Sequence, residues 1–220
     1  MMRLILLGLP GAGKGTQAKN LATQKGLLHI STGDMFREAA AAGTELGKRA
    51  QDFMSKGELV PDEVTIGMLL ERIAKPDAQV GLMLDGFPRT IPQAEALDRA
   101  LAGRGQQIDA VLYIQVPEGD LMERLTGRWS CPNCGAIYHN QTKPPKVAGK
   151  CDVCGAALTQ RADDQPATVK TRLDTNRAWT EALAEFYGKQ GKLQKIDGTG
   201  AMDAITARLI ESIARVPGAA

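Results

Sequence analysis

Short, uninterrupted apolar runs alternate with longer stretches of helical periodicity along this chain. Runs at 4–7, 82–84, 111–116 and 193–196 read as strands buried on both faces, and a shorter run at 28–30 reads as a fifth. Between them, helical patterns cover 17–24, 35–55, 64–74, 93–101, 120–125, 168–188 and 203–214. This alternation predicts an α/β fold, an open parallel five-stranded sheet with helices on both faces. Ligands of such sheets bind beyond the carboxyl ends of the strands. Two stretches break the alternation: 31–60 is helical but inserted, and 127–164 holds every cysteine with little helix signal. Both are expected as excursions from a core made of 1–30, 61–126 and 165–220. The tail, 217–220, is expected to fray.

The turn after the first strand carries the chemistry. It reads Gly8-Leu-Pro-Gly-Ala-Gly-Lys-Gly-Thr16. Glycines let backbone N–H groups converge on an anion, Lys14 adds a point charge, and the following helix turns its positive end to the same spot. The match to the P-loop pattern is close, with Gly15 inserted before Thr16. The bland alternative is a tight turn with an exposed lysine, which this clustering of four glycines disfavours.

Composition adds limits rather than leads. The 220 residues suffice for one sizeable core, and 43% hydrophobic with 24% charged is ordinary for a globular chain. A net charge of +2 argues against a nucleic-acid or membrane-surface partner. Met1-Met2-Arg3 before an apolar run imitates an export signal, but Pro10 and Lys14 end the run too soon. A cytoplasmic protein is expected, and monomer is the default. In that compartment four cysteines argue against structural disulfides.

Cys131-Pro-Asn-Cys134 and Cys151-Asp-Val-Cys154 fit the spacing of a tetrahedral zinc site, and four protein ligands leave no open position, so the role is structural. The alternatives are reduced thiols without metal, or a redox pair. The run Leu82-Met-Leu-Asp85-Gly86-Phe87-Pro88-Arg89 ends an apolar strand in a carboxylate, suited to hold Mg²⁺ through water, with a cation four residues on. In Ser31-Thr32-Gly-Asp34-Met-Phe-Arg37, Ser31 or Thr32 could cap a helix. Arg124, Arg128, Arg161 and Arg172 surround the cysteine segment and suit a phosphoryl group in transfer, although Arg124, near Asp120 and Glu123, could be a solvated helix charge. His29 is expected as a satisfied core residue and His139 as surface.

With these motifs in order, together with Arg161-Ala-Asp-Asp164, the chain from Met2 to Ile213 resembles the bacterial adenylate kinases of the long, zinc-lidded form. The resemblance implies a monophosphate-binding insert at 31–60, a lid at 127–164, and the reaction MgATP + AMP ⇌ 2 ADP. It implies that Gly11, Ala12, Gly13, Lys14, Gly15 and Thr16 hold the ATP phosphates. Arg124 and Arg128 would face ATP, with Ile137, Tyr138 and the Gly200 carbonyl near adenine. AMP would meet Thr32, Arg37, the segment Glu58-Leu59-Val60, Gly86, Phe87, Pro88, Arg89 and Gln93, with Arg161 and Arg172 bridging both nucleotides. Lys14, Arg89, Arg124, Arg128, Arg161 and Arg172 would be catalytic, with Mg²⁺ and structural Zn²⁺ as cofactors. The weighed alternatives are a UMP/CMP acceptor or GTP donor, and a non-catalytic zinc ribbon that binds ATP.

Overall fold

The computed structural model describes residues 1–216; the expectation for 217–220 lies outside them. Five strands form one parallel sheet: β1 (Arg3–Leu7), β2 (Leu28–Ser31), β3 (Leu82–Asp85), β4 (Ala110–Gln115) and, last in the chain, β7 (Leu193–Asp197). Their spatial order is β2-β3-β1-β4-β7, so the first strand lies at the centre. Register is continuous, with Leu6 opposite both Asp85 and Leu112.

Successive strand residues point to opposite faces, and both faces are covered, which is why the strands are apolar without alternation. On one side Leu4, Leu6, Met83 and Leu112 pack against α1 (Lys14–Lys25), α6 (Glu118–Thr126) and α8 (Met202–Ala214) through Leu21, Leu121 and Leu209. On the other, Ile5, Leu7, Leu84 and Val111 meet α4 (Asp62–Ile73), α5 (Ile91–Ala102) and α7 (Pro166–Lys189) through Leu69, Leu97 and Leu183.

The pattern over 35–55 predicts one helix, and the structure has two: α2 (Thr32–Ala41) and α3 (Glu45–Lys56). Gly43 turns left-handed at φ 70° and the Thr44 hydroxyl accepts the Gly47 N–H at 3.0 Å. A C-terminal glycine followed by an N-cap threonine stops one helix and starts the next, which apolar periodicity does not register. The two helices pack backbone to backbone: a Cβ at Gly47 would sit 2.2 Å from the Ala39 carbonyl carbon. Past α3, Gly57 rests on α7, where a Cβ would lie 2.9 Å from Arg172 Cγ.

Between α6 and α7 the chain leaves the core. An antiparallel hairpin, β5 (Arg128–Ser130) and β6 (Ile137–His139), pairs Trp129 with Tyr138. His139, expected at the surface, is buried instead. Its Nδ1 accepts the N–H groups of Gln141 and Thr142, both at 3.2 Å, so Nε2 carries the proton and donates to the Glu123 carbonyl at 3.3 Å. The ring occupies the space a Cβ at Gly127 would need, fixing the exit from α6.

Two glycine substitutions separate close packing from helix propensity. Gly47→Ala is expected to push α2 from α3, costing about 1–3 kcal/mol and exposing the α3 amides to hydrogen exchange. Gly67→Ala, on an exposed position of α4 with open space beside it, is expected to raise stability by about 0.5–1 kcal/mol. Equal effects in thermal unfolding would contradict the close α2–α3 contact.

Candidate active site

The loop between β1 and α1 lies beyond the carboxyl end of the central strand. Gly11 and Gly13 both take positive φ, 85° and 89°. Gly13 precedes the first residue of α1 and leaves the helix amides open. Gly11 lies so close to α6 that a Cβ would meet the Leu121 carbonyl at 3.1 Å. Lys14 folds back over the loop and donates to the carbonyls of Gly8 and Leu9 at 2.7 and 2.9 Å. Burial pulls its ammonium down to about 8, against a partly compensating attraction from Asp85. Asp85 closes β3 beside the same loop: its Oδ2 lies 3.2 Å from where a Cβ on Gly15 would stand.

His29, expected to be satisfied in the core, is not. Its buried Nε2 has no hydrogen-bond partner and lies 3.8 Å from Asp85 Oδ2.

Opposite the loop, Ser31 rather than Thr32 caps α2, accepting the Asp34 N–H at 3.3 Å. Thr32 is freed to donate to the Gly86 carbonyl at 2.8 Å, the same oxygen that accepts Arg89 Nε at 2.9 Å. Arg37 pairs with Asp34 at 2.5 Å. Burial alone would raise the Asp34 carboxyl, but the Arg37 guanidinium wins and lowers it. Arg89 and Arg161 are both pulled down to about 10, first by burial and then by other arginines: Arg172 acts on Arg89, and Arg37 and Arg128 on Arg161. Such crowding of like charge suits the grip of a polyanion.

Carboxylates hold part of this cluster in place. Asp164, fully buried, accepts Arg128 Nε and Nη2 at 2.8 and 2.5 Å and Arg172 Nη1 at 3.1 Å. Arg172 also donates to the Asp163 carbonyl at 2.8 Å. The sequence pattern alone assigns no role to Asp163 and Asp164. The signal is the pair of acids two and three residues after Arg161; Arg128, one partner of Asp164, lies 36 positions away. Arg124, for which a solvated position was weighed, instead reaches the Gly198 carbonyl at 3.2 Å.

One cleft of about 1030 Å³ gathers these groups. It is lined by the phosphate loop, by Thr32, Arg37 and Glu58-Leu59-Val60, by Gly86, Arg89 and Gln93, and by Arg124, Arg128, Ile137, Tyr138, Arg161 and Arg172. Four expected residues stand apart from that lining. Phe87 is buried in the core beneath it, and Pro88 follows through a cis bond. The Ala12 side chain is buried under the loop, and Gly200 sits in the exposed turn after β7.

The four cysteine sulfurs lie within 4.8 Å of one another, with Cys131–Cys154 at 3.4 Å and Cys134–Cys151 at 3.5 Å. A tetrahedron with metal–sulfur bonds of about 2.3 Å has edges of about 3.8 Å, so the set fits zinc. Both pairs belong to the same turn, Cys-x-x-Cys-Gly-Ala. In each, the first Cys N–H donates to the Ala carbonyl, and the Gly N–H returns to the Cys carbonyl. The Tyr138 hydroxyl lies 3.5 Å from Cys151 Sγ and lowers that thiol, while Cys134 is raised, against the Ala136 backbone N–H, by desolvation and by hydrogen bonds from the neighbouring thiols, so the four titrate as one set.

A glycine-rich phosphate loop on the central strand of a parallel sheet ordered 2-3-1-4-7, facing a cleft of arginines, defines a P-loop phosphotransferase. Comparison with known proteins narrows the class. A family model described as "Adenylate kinase" matches residues 6–192. The chain is 53% identical to an adenylate kinase of Moorella thermoacetica over 97% of this chain and 99% of that protein. It is 53% identical to one of Carboxydothermus hydrogenoformans (94% and 97% covered) and 51% identical to one of Desulforudis audaxviator (97% and 100%). The chain belongs to the adenylate kinase family.

Among the described residues no helix is long and apolar enough to cross a membrane. Cys131 and Cys134 border the same cleft as the glycine-rich loop, but a metal held by four protein ligands has no open position for chemistry, so its loss is expected to act on stability first. Cys134→Ser should abolish stoichiometric metal retention and lower the unfolding midpoint by several degrees. Turnover well below that midpoint should change little. Loss of turnover in a fully folded variant at low temperature would contradict a purely structural role.

Proposed function

We propose that this chain catalyses the reversible transfer of the terminal phosphoryl group of ATP to AMP, giving two ADP, as a cytoplasmic monomer serving adenine nucleotide balance. The observation that carries this reading is the meeting of Lys14 with Arg89, Arg128, Arg161 and Arg172 around one cleft. In this reading Gly11 to Thr16 cradle the ATP phosphates with their amides. Arg124 and Arg128 face ATP, with Ile137, Tyr138 and Gly200 on the adenine side. Thr32, Arg37, Glu58 to Val60, Gly86 to Arg89 and Gln93 receive AMP. Residues 31–60 act as the AMP-binding insert, and 127–164 as a lid that closes over ATP.

The acceptor oxygen of AMP is ionised at neutral pH, so no side chain need remove a proton. Catalysis is positioning and charge stabilisation. Lys14, Arg89, Arg128, Arg161 and Arg172 share the negative charge of the transferring group, and the carboxylates of Asp163 and Asp164 keep Arg128 and Arg172 aimed. Mg²⁺ accompanying ATP would be held by Asp85 through water and would neutralise phosphate charge. Zinc on Cys131, Cys134, Cys151 and Cys154 would stiffen the lid, so that it moves as one piece and keeps competing water from ATP.

The direct test is ADP formation from MgATP with AMP, UMP, CMP and GMP in turn. AMP should be preferred, and Lys14→Ala should lower kcat/KM by roughly 10²–10³. A folded protein that leaves AMP unconsumed would overturn the proposal.

The lowered Lys14 pKa supplies a second test. In the empty cleft the ammonium loses its proton as pH rises through about 8. A bound triphosphate favours the charged form and raises that pKa, while the phosphates are already fully ionised. Nucleotide binding should therefore take up protons above pH 8, and affinity should fall from there upward. Calorimetry in two buffers of different ionisation heat measures the uptake. Affinity unchanged to pH 9.5 would contradict it.

A further inference from the structure

Gln93 lines the cleft from the first turn of α5, yet its side-chain amide is committed at both ends. Its Oε1 accepts the Arg89 backbone N–H at 2.7 Å, and its Nε2 donates to Asp62 Oδ1 at 2.7 Å. The other carboxylate oxygen, Asp62 Oδ2, accepts the Thr90 hydroxyl at 2.8 Å, and the Thr90 Oγ1 in turn accepts the Gln93 N–H at 3.3 Å. Asp62 is the first residue of α4 and takes no part in the cleft lining.

The chemistry of the partners leaves one orientation for the amide. A backbone N–H can only donate, so it must face the carbonyl oxygen; an ionised carboxylate can only accept, so it must face the NH₂. Flipping Gln93 would set donor against donor and acceptor against acceptor. The amide has one N–H and one carbonyl lone pair remaining. Their order along the exposed edge is fixed before any ligand arrives.

We infer that Asp62 is a positioning residue that sets acceptor specificity, by holding the Gln93 amide in the sense that pairs with a 6-aminopurine and rejects a 6-oxopurine. This deepens the proposed function and rests on its reading of Gln93 as a contact of the acceptor base. Adenine offers a ring-nitrogen acceptor beside an amino donor; hypoxanthine offers a ring N–H beside a carbonyl, the reverse order. A free amide would turn over to suit either base. A locked one leaves the wrong base with unpaired polar groups, the kind of mismatch that discriminates most strongly.

The test compares kcat and KM for AMP and for IMP, at saturating MgATP, in the wild type, Asp62→Ala and Glu63→Ala. Glu63 lies next along the same first turn of α4 and is exposed. Its removal costs a similar helix-terminus interaction without touching Gln93. Asp62→Ala should raise KM for AMP about tenfold, more than it lowers kcat, and should lower the AMP-to-IMP ratio of kcat/KM by at least as much. KM for ATP should not move. Glu63→Ala should keep the wild-type ratio. If Asp62→Ala does not fold, Asp62→Leu, close in size and without an acceptor, carries the same test.

An AMP-selective wild type whose ratio survives in Asp62→Ala overturns this inference alone. A wild type that uses IMP as well as AMP overturns the reading of Gln93 beneath it, and this inference with it.

Discussion

Positive charges repel, and this structure gathers the ammonium of Lys14 and several guanidinium groups around a single cleft. Everything else in the site can be read as the means of keeping them there. Asp164, with no solvent exposure, binds Arg128 through two bonds and Arg172 through a third. A buried carboxylate between two guanidiniums offsets much of their desolvation, and removing one partner of such a cluster costs about 3–5 kcal/mol. Burial lowers the guanidinium even of Arg172, which two acids hold. Arg89 and Arg161 are both drawn well below the ordinary guanidinium range. The cleft lining carries more cationic than anionic side chains, a surplus suited to a polyphosphate.

The rest of the architecture serves that concentration. A central β1 places the phosphate loop at the middle of the sheet edge, with β3 delivering Asp85 beside it. Helices α2 and α3 bring Arg37 across the cleft, and the cysteine segment delivers Arg161 and the two acids at its base. A segment with so small an apolar cluster of its own, Cys131, Tyr138, Cys151 and Leu158, cannot hold a fixed shape by burial alone. Two copies of one turn point four sulfurs at a common centre, where a bound metal would supply the fixity that packing does not.

The sheet, its five strands and the cleft-facing loops were legible in the chain because each signal is local. Buried parallel strands are apolar throughout, the phosphate loop needs its glycines in a row, and Cys-x-x-Cys spacing is set by the metal. What escaped was non-local or hidden in polar residues. The break at Gly43-Thr44 lay inside an unbroken apolar period. His139 is polar by type but buried through the contacts of its ring nitrogens and a Gly127 without a side chain. Asp164 finds Arg128 across 36 positions of sequence, and Asp62 finds Gln93 across 31; neither spacing corresponds to a helix turn or a strand step. Phe87 shows the opposite error: it sits within a site motif, yet its side chain belongs to the core.

Gly57 gives the fold a mechanical property. It lies flush on the stem of Arg172, whose guanidinium is tied to the acids at the root of the hairpin segment. Two appendages on opposite sides of the cleft therefore bear on a single side chain. A side chain at position 57 would press on that stem and disturb both attachments at once.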